Sequence, residues 1–250
     1  MESLRIATWP VNGINTRLPY LAHWLDSRKP DFVALQKIRG SVETFPANKL
    51  SSIGYCSVVF PPSFHYDFGV AILVRKPSSR PKVLERGLRN QQHYGARLLT
   101  VEVGDLIFSS VYVPAEPRRK IAWLHDFTRY VCRDLDAAKR IVFCGDFNVD
   151  EKPVTKRARQ LLESLAESGY KDLYRCLHPH RYGFNFGKSR DGPVTARLNR
   201  VLGTQEVVDD VRGVWVDLEY RGPILGLKDR GWTLSAPLIV DLDRRVRESV

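Results

Sequence analysis

Ile141-Val-Phe-Cys-Gly-Asp-Phe-Asn-Val149 is an apolar run closed by Gly145 and followed by Asp146 and Asn148, two residues apart. A short apolar run bounded by a glycine reads as a buried strand. Residues i and i+2 of a strand share a face, so the spacing predicts a carboxylate and a carboxamide side by side at a strand end. That pair suits a phosphodiester: the acid handles a proton, and the amide orients water or an oxygen on phosphorus. The same two groups serve equally as hydrogen-bonding ends of a strand.

Working outward, Ile121–Ala138 precedes this strand with helical spacing, and a basic helix across Val154–Ser168 follows it. Upstream, Leu4–Thr8 reads as a strand closed by Pro10 and the Asn12-Gly13 turn signal. Thr16–Arg28 places Leu18, Leu21 and Leu25 at helical spacing until Lys29-Pro30 stops it, and Phe32–Leu35 is a buried strand. Cys56–Phe60, Gly69–Val74, Leu98–Val103 and Leu106–Val113 alternate as strands, and Val207–Leu218 and Leu238–Leu242 supply the last ones. No repeat, low-complexity tract or linker divides the chain, which predicts one domain over residues 1–250. Strands interleaved with helices predict an α/β (α+β) class: two packed sheets flanked by helices, with strand ends converging on one rim.

Lys and Arg number 39 against 28 Asp and Glu, a net charge of +11, which points to polyanionic company such as nucleic acid or to a generally basic surface. The four cysteines (Cys56, Cys132, Cys144, Cys176) form no CxxC and show no histidine at metal-ligand spacing, so free thiols in a reducing compartment are expected. No apolar run reaches the roughly 18 residues of a membrane span, and a strand begins within a few residues of Met1. The expectation is a soluble, intracellular, cytoplasmic protein with no membrane partner.

Six strings occur in order: Leu4-Arg-Ile-Ala-Thr-Trp-Pro-Val-Asn-Gly13, Pro30-Asp-Phe-Val-Ala-Leu-Gln36, Phe68-Gly-Val-Ala-Ile-Leu73, Ser110-Val-Tyr-Val-Pro114, Gly145-Asp-Phe-Asn148 and Ala236-Pro237. Together they resemble the exonuclease III-type apurinic/apyrimidinic (AP) endonucleases of the endonuclease/exonuclease/phosphatase superfamily, over Leu4 to about Leu242. The resemblance implies a four-layer α/β/β/α sandwich of two mixed sheets. It also implies hydrolysis of a DNA phosphodiester with a divalent metal, usually Mg²⁺, and a carboxylate-activated water.

Carried over position by position, that machinery is incomplete. The family's Tyr, Asp and Asn are kept as Tyr112, Asp146 and Asn148. The first Asn of its Asn-x-Asn-Gly is Pro10, although Asn12 remains, and the metal-ligating Glu of Leu-Gln-Glu is Lys37. The Asp of Arg-Ile-Asp is Asn199, and the Asp-His of Ser-Asp-His-Ala-Pro is Leu234-Ser235. An ammonium repels Mg²⁺, which takes hard oxygen ligands, so no metal cofactor is expected. Lys37 instead is expected to fill the ion's space and pair with Asp146.

For nucleic acid, the resemblance points to Arg118, Arg119 and Lys120 after Tyr112 as phosphate contacts, and to the helix with Lys152, Lys156, Arg157 and Arg159. Further basic clusters lie at Arg75–Lys82 and Arg244–Arg247, the latter read as a solvated tail. Tyr182-Gly-Phe184-Asn-Phe186, beside Arg181, Lys188 and Arg190, stacks on bases or fills the core. The leading expectation is a DNA-binding pseudonuclease, with duplex DNA as partner. The alternatives are an active AP endonuclease, 3′-exonuclease or phosphodiesterase with a rearranged site that draws on His180, and a non-catalytic scaffold for a protein partner.

Overall fold

The computed structural model describes residues 3–62, 68–77, 80–88, 96–135, 139–150, 156–189, 192–222, 227 and 233–243. The first half contains β1 (Ser3–Pro10), α1 (Ile14–Arg28), β2 (Phe32–Ile38), α2 (Ala47–Ser52), β3 (Tyr55–Phe60) and β4 (Gly69–Arg75). Next come β5 (Lys82–Arg86), β6 (Leu98–Val103), β7 (Leu106–Tyr112), α3 (Pro117–Asp134), β8 (Arg140–Asp146) and α4 (Lys156–Glu167). Then follow β9 (Lys171–Asp172), α5 (Leu173–Leu177), β10 (Phe186–Gly187), β11 (Val194–Ala196) and β12 (Asn199–Gly203), and finally α6 (Gln205–Val208), β13 (Val211–Val216) and β14 (Leu238–Asp243).

One sheet runs β13-β14-β1-β2-β4-β3 and the other β5-β6-β7-β8-β12-β9. Each holds one parallel pair, β1 with β2 and β7 with β8, and the other pairings are antiparallel. Both sheets are therefore mixed. A parallel pair needs a long crossover, and α1 and α3 supply the two.

Strand alternation sorts the side chains into three buried layers. Ile6, Ala34 and Ile72 of the first sheet meet Phe108, Val142 and Val201 of the second, forming the core between the sheets. Their neighbours Ala7, Val33 and Ala71 turn outward onto Tyr20, Leu21, Trp24 and Leu25 of α1. Ile107, Ile141 and Phe143 turn outward onto Trp123, Leu124 and Phe127 of α3 and Leu161 and Leu165 of α4. The order is α/β/β/α, as expected. Each such large apolar side chain contributes about 1.5–3 kcal/mol on burial. At Gly145 no other residue fits, because an ideal Cβ would lie 1.9 Å from the Val111 carbonyl oxygen on β7.

The sequence reading lacked α2, β5 and β9 to β12, and two elements that it did give differ in the structure. α3 begins at Pro117 rather than Ile121: Glu116 caps it by accepting from the amides of Arg118 and Arg119 at 3.0 and 2.7 Å, and Pro117 takes the first turn. Val207–Leu218 is not one strand. The α6 turn ends at Val208 and β13 begins at Val211.

Candidate functional site

Parallel strands end together, so the carboxyl ends of β1, β2, β7 and β8 meet on one rim, where open α/β sheets place their ligands. They deliver Pro10, Lys37, Tyr112 and Asp146. Tyr112 lies beside Asp146 in register, and β12 enters with Asn199 opposite Asp146. A polar bridge between the sheets lies on the strands that reach this rim. Thr8 Oγ1 donates to Gln36 Oε1 at 3.0 Å, and Gln36 Nε2 donates to Ser110 Oγ at 3.1 Å.

Lys37 sits on a bulge: the β2–β4 register slips between Gln36 and Ile38, and Lys37 takes a left-handed backbone with φ of 57°. For a residue with a Cβ that conformation costs on the order of 1–3 kcal/mol. The bulge aims Nζ at Asp146 Oδ2, 2.7 Å away, with the two side chains 20% and 1% exposed. Burial alone would push the ammonium's pKa down, but the Asp146 carboxylate holds it above the ordinary value. Lys37 is thus a cation at neutral pH.

Tyr112 packs beneath this pair, with Lys37 Nζ 5.5 Å and Arg97 Cζ 4.5 Å from its ring centre. Burial raises its phenol pKa against the pull of Lys37, so it keeps its proton at neutral pH. Lys120 is half-buried and donates to the Asn148 carbonyl at 2.6 Å. Burial pushes its pKa down, and Asp146 opposes that.

Asn148 does not stand beside Asp146 as strand alternation implies, because β8 ends at Asp146. With φ of 50°, Asn148 turns back: its amide N–H donates to Asp146 Oδ1 at 3.1 Å and its Nδ2 donates to the Val113 carbonyl at 2.7 Å. Asn199 Nδ2 donates to the Ala236 carbonyl at 3.2 Å, while its buried Oδ1 has no hydrogen-bond partner among the described residues. Leu234 and Ser235 are held by their backbones. The Leu234 carbonyl accepts from the Gly187 amide at 3.1 Å, and that of Ser235 accepts from Trp9 Nε1 at 3.0 Å.

The donor set does not fit Mg²⁺. Octahedral coordination calls for several hard oxygens, whereas the one carboxylate among the family positions, Asp146, is bound to an ammonium. Among the described residues no three His, Cys, Asp or Glu side chains cluster. Three cations, Lys37, Arg97 and Lys120, surround one carboxylate and one protonated phenol. Such a rim attracts an anion and repels a dication.

Of the expected nucleic-acid contacts, Arg118 and Arg119 are exposed on the first turn of α3, and Lys156 and Arg157 are exposed on the first turn of α4. Neither turn carries an acid. Cations there oppose the helix dipole, which at α3 the capping Glu116 carboxylate offsets. Lys152, Arg190 and Arg244–Arg247 lie outside the described residues. Phe184 and Phe186 are half-buried, and Phe184 stacks on Tyr182, a residue 57% exposed, at 5.0 Å between ring centres. Arg75 and Lys82 pair with Asp31 and Glu102, so that cluster is partly neutralised. His180 is exposed.

Several residues that hold this rim were not singled out from sequence. Buried Asn185 accepts from the amides of Leu198 and Asn199 at 3.0 and 3.2 Å and donates to the Asn199 carbonyl at 3.0 Å. Asp172 binds Arg197 at 2.5 Å and Arg200 at 3.0 Å. A polar residue in an apolar strand, such as Gln36 after Phe32–Leu35, is the local signal that could have been read. Asn185 and Arg97 carry no such mark.

A family model described as Endonuclease/Exonuclease/phosphatase family matches residues 7–233. The chain is 26% identical over 209 residues to a zebrafish (Danio rerio) protein named DNA repair nuclease APEX1, covering 74% of this chain and 66% of that protein. It is 25% identical over 256 residues to exodeoxyribonuclease III of Haemophilus influenzae, covering 87% and 94%. The solved structure of the 3′-5′ exonuclease NExo from Neisseria meningitidis superposes with a TM-score of 0.85 at 25% identity, over 96% of this chain and 100% of that one.

Proposed function

Because this chain belongs to the Endonuclease/Exonuclease/phosphatase family, we propose that residues 1–250 act as one unit that binds DNA, duplex DNA above all, without hydrolysing it efficiently. The observation that carries this reading is the ion pair at 2.7 Å between Lys37 and Asp146. A carboxylate oxygen engaged by a tethered ammonium is not free to hold a divalent ion or to orient a water. General acid–base groups each contribute about 10²–10⁴-fold, and the family's histidine position is Ser235.

Binding draws on what remains. Lys37, Arg97 and Lys120 give the rim a positive field, and the Tyr112 phenol is a donor for a phosphate oxygen. Arg118 and Arg119, with Lys156, Arg157 and Lys152 on the neighbouring segment, supply backbone contacts that fix position and are indifferent to sequence. Phe184 and Phe186, with Tyr182, supply a stacking surface for a base or an exposed sugar. DNA as the ligand is supported by the printed names of relatives that cover most of this chain. The four free cysteines suit a reducing, intracellular setting.

The test is incubation with a labelled duplex carrying one abasic-site analogue, with Mg²⁺, with Mn²⁺ and with chelator, reading retardation and cleavage on gels. Retardation without metal-dependent cleavage is expected. Cleavage that chelator stops and Asp146→Ala abolishes would instead establish an active nuclease. No salt-sensitive affinity at all would favour a protein-interaction scaffold.

A further inference from the structure

We infer a metal-independent activity at the rim: the Lys120 amine captures the aldehyde of an abasic sugar as an imine and opens the strand by β-elimination. The inference rests on the DNA-binding reading and names the substrate class, a ring-opened deoxyribose that has lost its base.

Two lysines reach the rim, and their partners differ. Lys37 Nζ lies 2.7 Å from the Asp146 carboxylate, which holds it as an ammonium. Lys120 projects from the first turn of α3 and donates to the Asn148 carbonyl at 2.6 Å, while the Asn148 amide donates to Asp146 Oδ1 at 3.1 Å. The Lys120 amine therefore lies one residue's width from the carboxylate without touching it, and among the described residues it makes no ion pair. A carbonyl is a neutral acceptor that takes a hydrogen bond from an amine as it does from an ammonium. Loss of a proton leaves the Lys120 contact intact and would break the Lys37 pair. Lys120 is half-buried rather than sealed off, and that burial favours its neutral form. Arg118 and Arg119 stand exposed on the same turn, so a strand held there passes Lys120.

A neutral lysine amine is a nucleophile for carbonyl carbon. Its nitrogen bonds to C1′ of the open sugar, and the aldehyde oxygen leaves as water with one proton from the amine and one from solvent, which gives a cationic imine. The C2′ proton then passes to solvent, its electron pair moves into the imine, and that pair returns to expel the 3′ oxygen together with its phosphate. Water hydrolyses the unsaturated imine, releasing an unsaturated aldehyde and restoring Lys120. The imine is the electron sink, so no oxidant, reductant or divalent ion enters. This chemistry suits a rim whose donor set does not fit Mg²⁺.

The experiment incubates the intact chain in chelator with a labelled duplex carrying one natural abasic site, with and without cyanoborohydride. A duplex with the tetrahydrofuran analogue, which has no aldehyde, runs beside it, and retardation is read on the same samples. The natural site is expected to give a trapped covalent adduct, and an elimination product where the reductant is left out. The analogue is expected to give neither. Mass mapping of the adduct is expected to place it on Lys120. Lys120→Arg keeps a cation for the Asn148 carbonyl but has no amine for an imine, so it should still retard the duplex and lose the adduct. An adduct on another lysine or on the amino terminus, or one that Lys120→Arg retains, overturns the assignment. Retardation with no adduct overturns the activity and leaves the binding reading standing, whereas neither retardation nor adduct overturns both.

Discussion

Lys37→Met keeps the stem that crosses the rim and deletes only the ammonium. Asp146 is then left with a side chain 1% exposed, no ammonium in contact, and only the more distant Lys120 as countercharge. Removing one partner of a buried pair costs about 3–5 kcal/mol. Lys37 is 20% exposed, so water replaces part of its role, and about 2–3 kcal/mol is expected here. For a chain of this size each kcal/mol moves Tm by about 2–4 °C, so Lys37→Met should melt about 5–10 °C lower. Lys37→Met/Asp146→Asn removes both charges and should recover at least half of that, which a double-mutant cycle in thermal melts would read.

The pH dependence has a definite sign. The pKa of Lys37 is raised in the folded chain, so the pair stabilises fully below the ordinary lysine value of 10.5 and is lost as pH climbs through the folded value. Wild type should therefore lose stability at alkaline pH relative to the double variant. Lys37→Met melting within about 1 °C of wild type, or a double variant no better than the single, would show that Asp146 does not depend on Lys37.

Asp172→Asn should cost about 3–5 kcal/mol in denaturant melts by removing the carboxylate that Arg197 and Arg200 share. Burial would push the Asp172 carboxyl up, yet the two guanidinium groups hold it below 3.8; its contribution is present above that pH and lost in acid below it, so the variant's acid limb should flatten. Mg²⁺ should leave the wild-type Tm unchanged, whereas Lys37→Glu, which sets a second acid against Asp146, should gain a metal-dependent rise. Equal behaviour of the two would refute the ammonium as the barrier to metal. Arg118→Glu/Arg119→Glu should weaken duplex binding and lower the slope of log K against log salt by about 2, with folding preserved by the Glu116 cap.

The rim was legible because parallel strands end together, β8 is an apolar run with an abrupt polar stop, and the strings at β1, β2 and β7 resemble those of the family. The family resemblance implied that Tyr112, Asp146, Lys37 and Asn199 share one site, and the structure brings the four together. What stayed hidden is either non-local or chemically disguised. β9 to β12 are two to five residues long, too short for a period-2 pattern to show. The start of α3 was masked by Arg118, Arg119 and Lys120, which read as a basic loop. Asn148 turned away from Asp146 because alternation holds only while the strand lasts, and a left-handed residue lies just past it. The Asp172 clamp joins residues 25 and 28 positions apart, with nothing local to mark the pairing.

The most direct measurement is the affinity for an abasic-analogue duplex by fluorescence anisotropy, in Mg²⁺ and in chelator at equal ionic strength, with the same samples assayed for product under excess protein. The same affinity in both, with no product, is the predicted result. Tight binding only in Mg²⁺, together with product that chelator abolishes, would mean that Lys37 does not stand in for the metal.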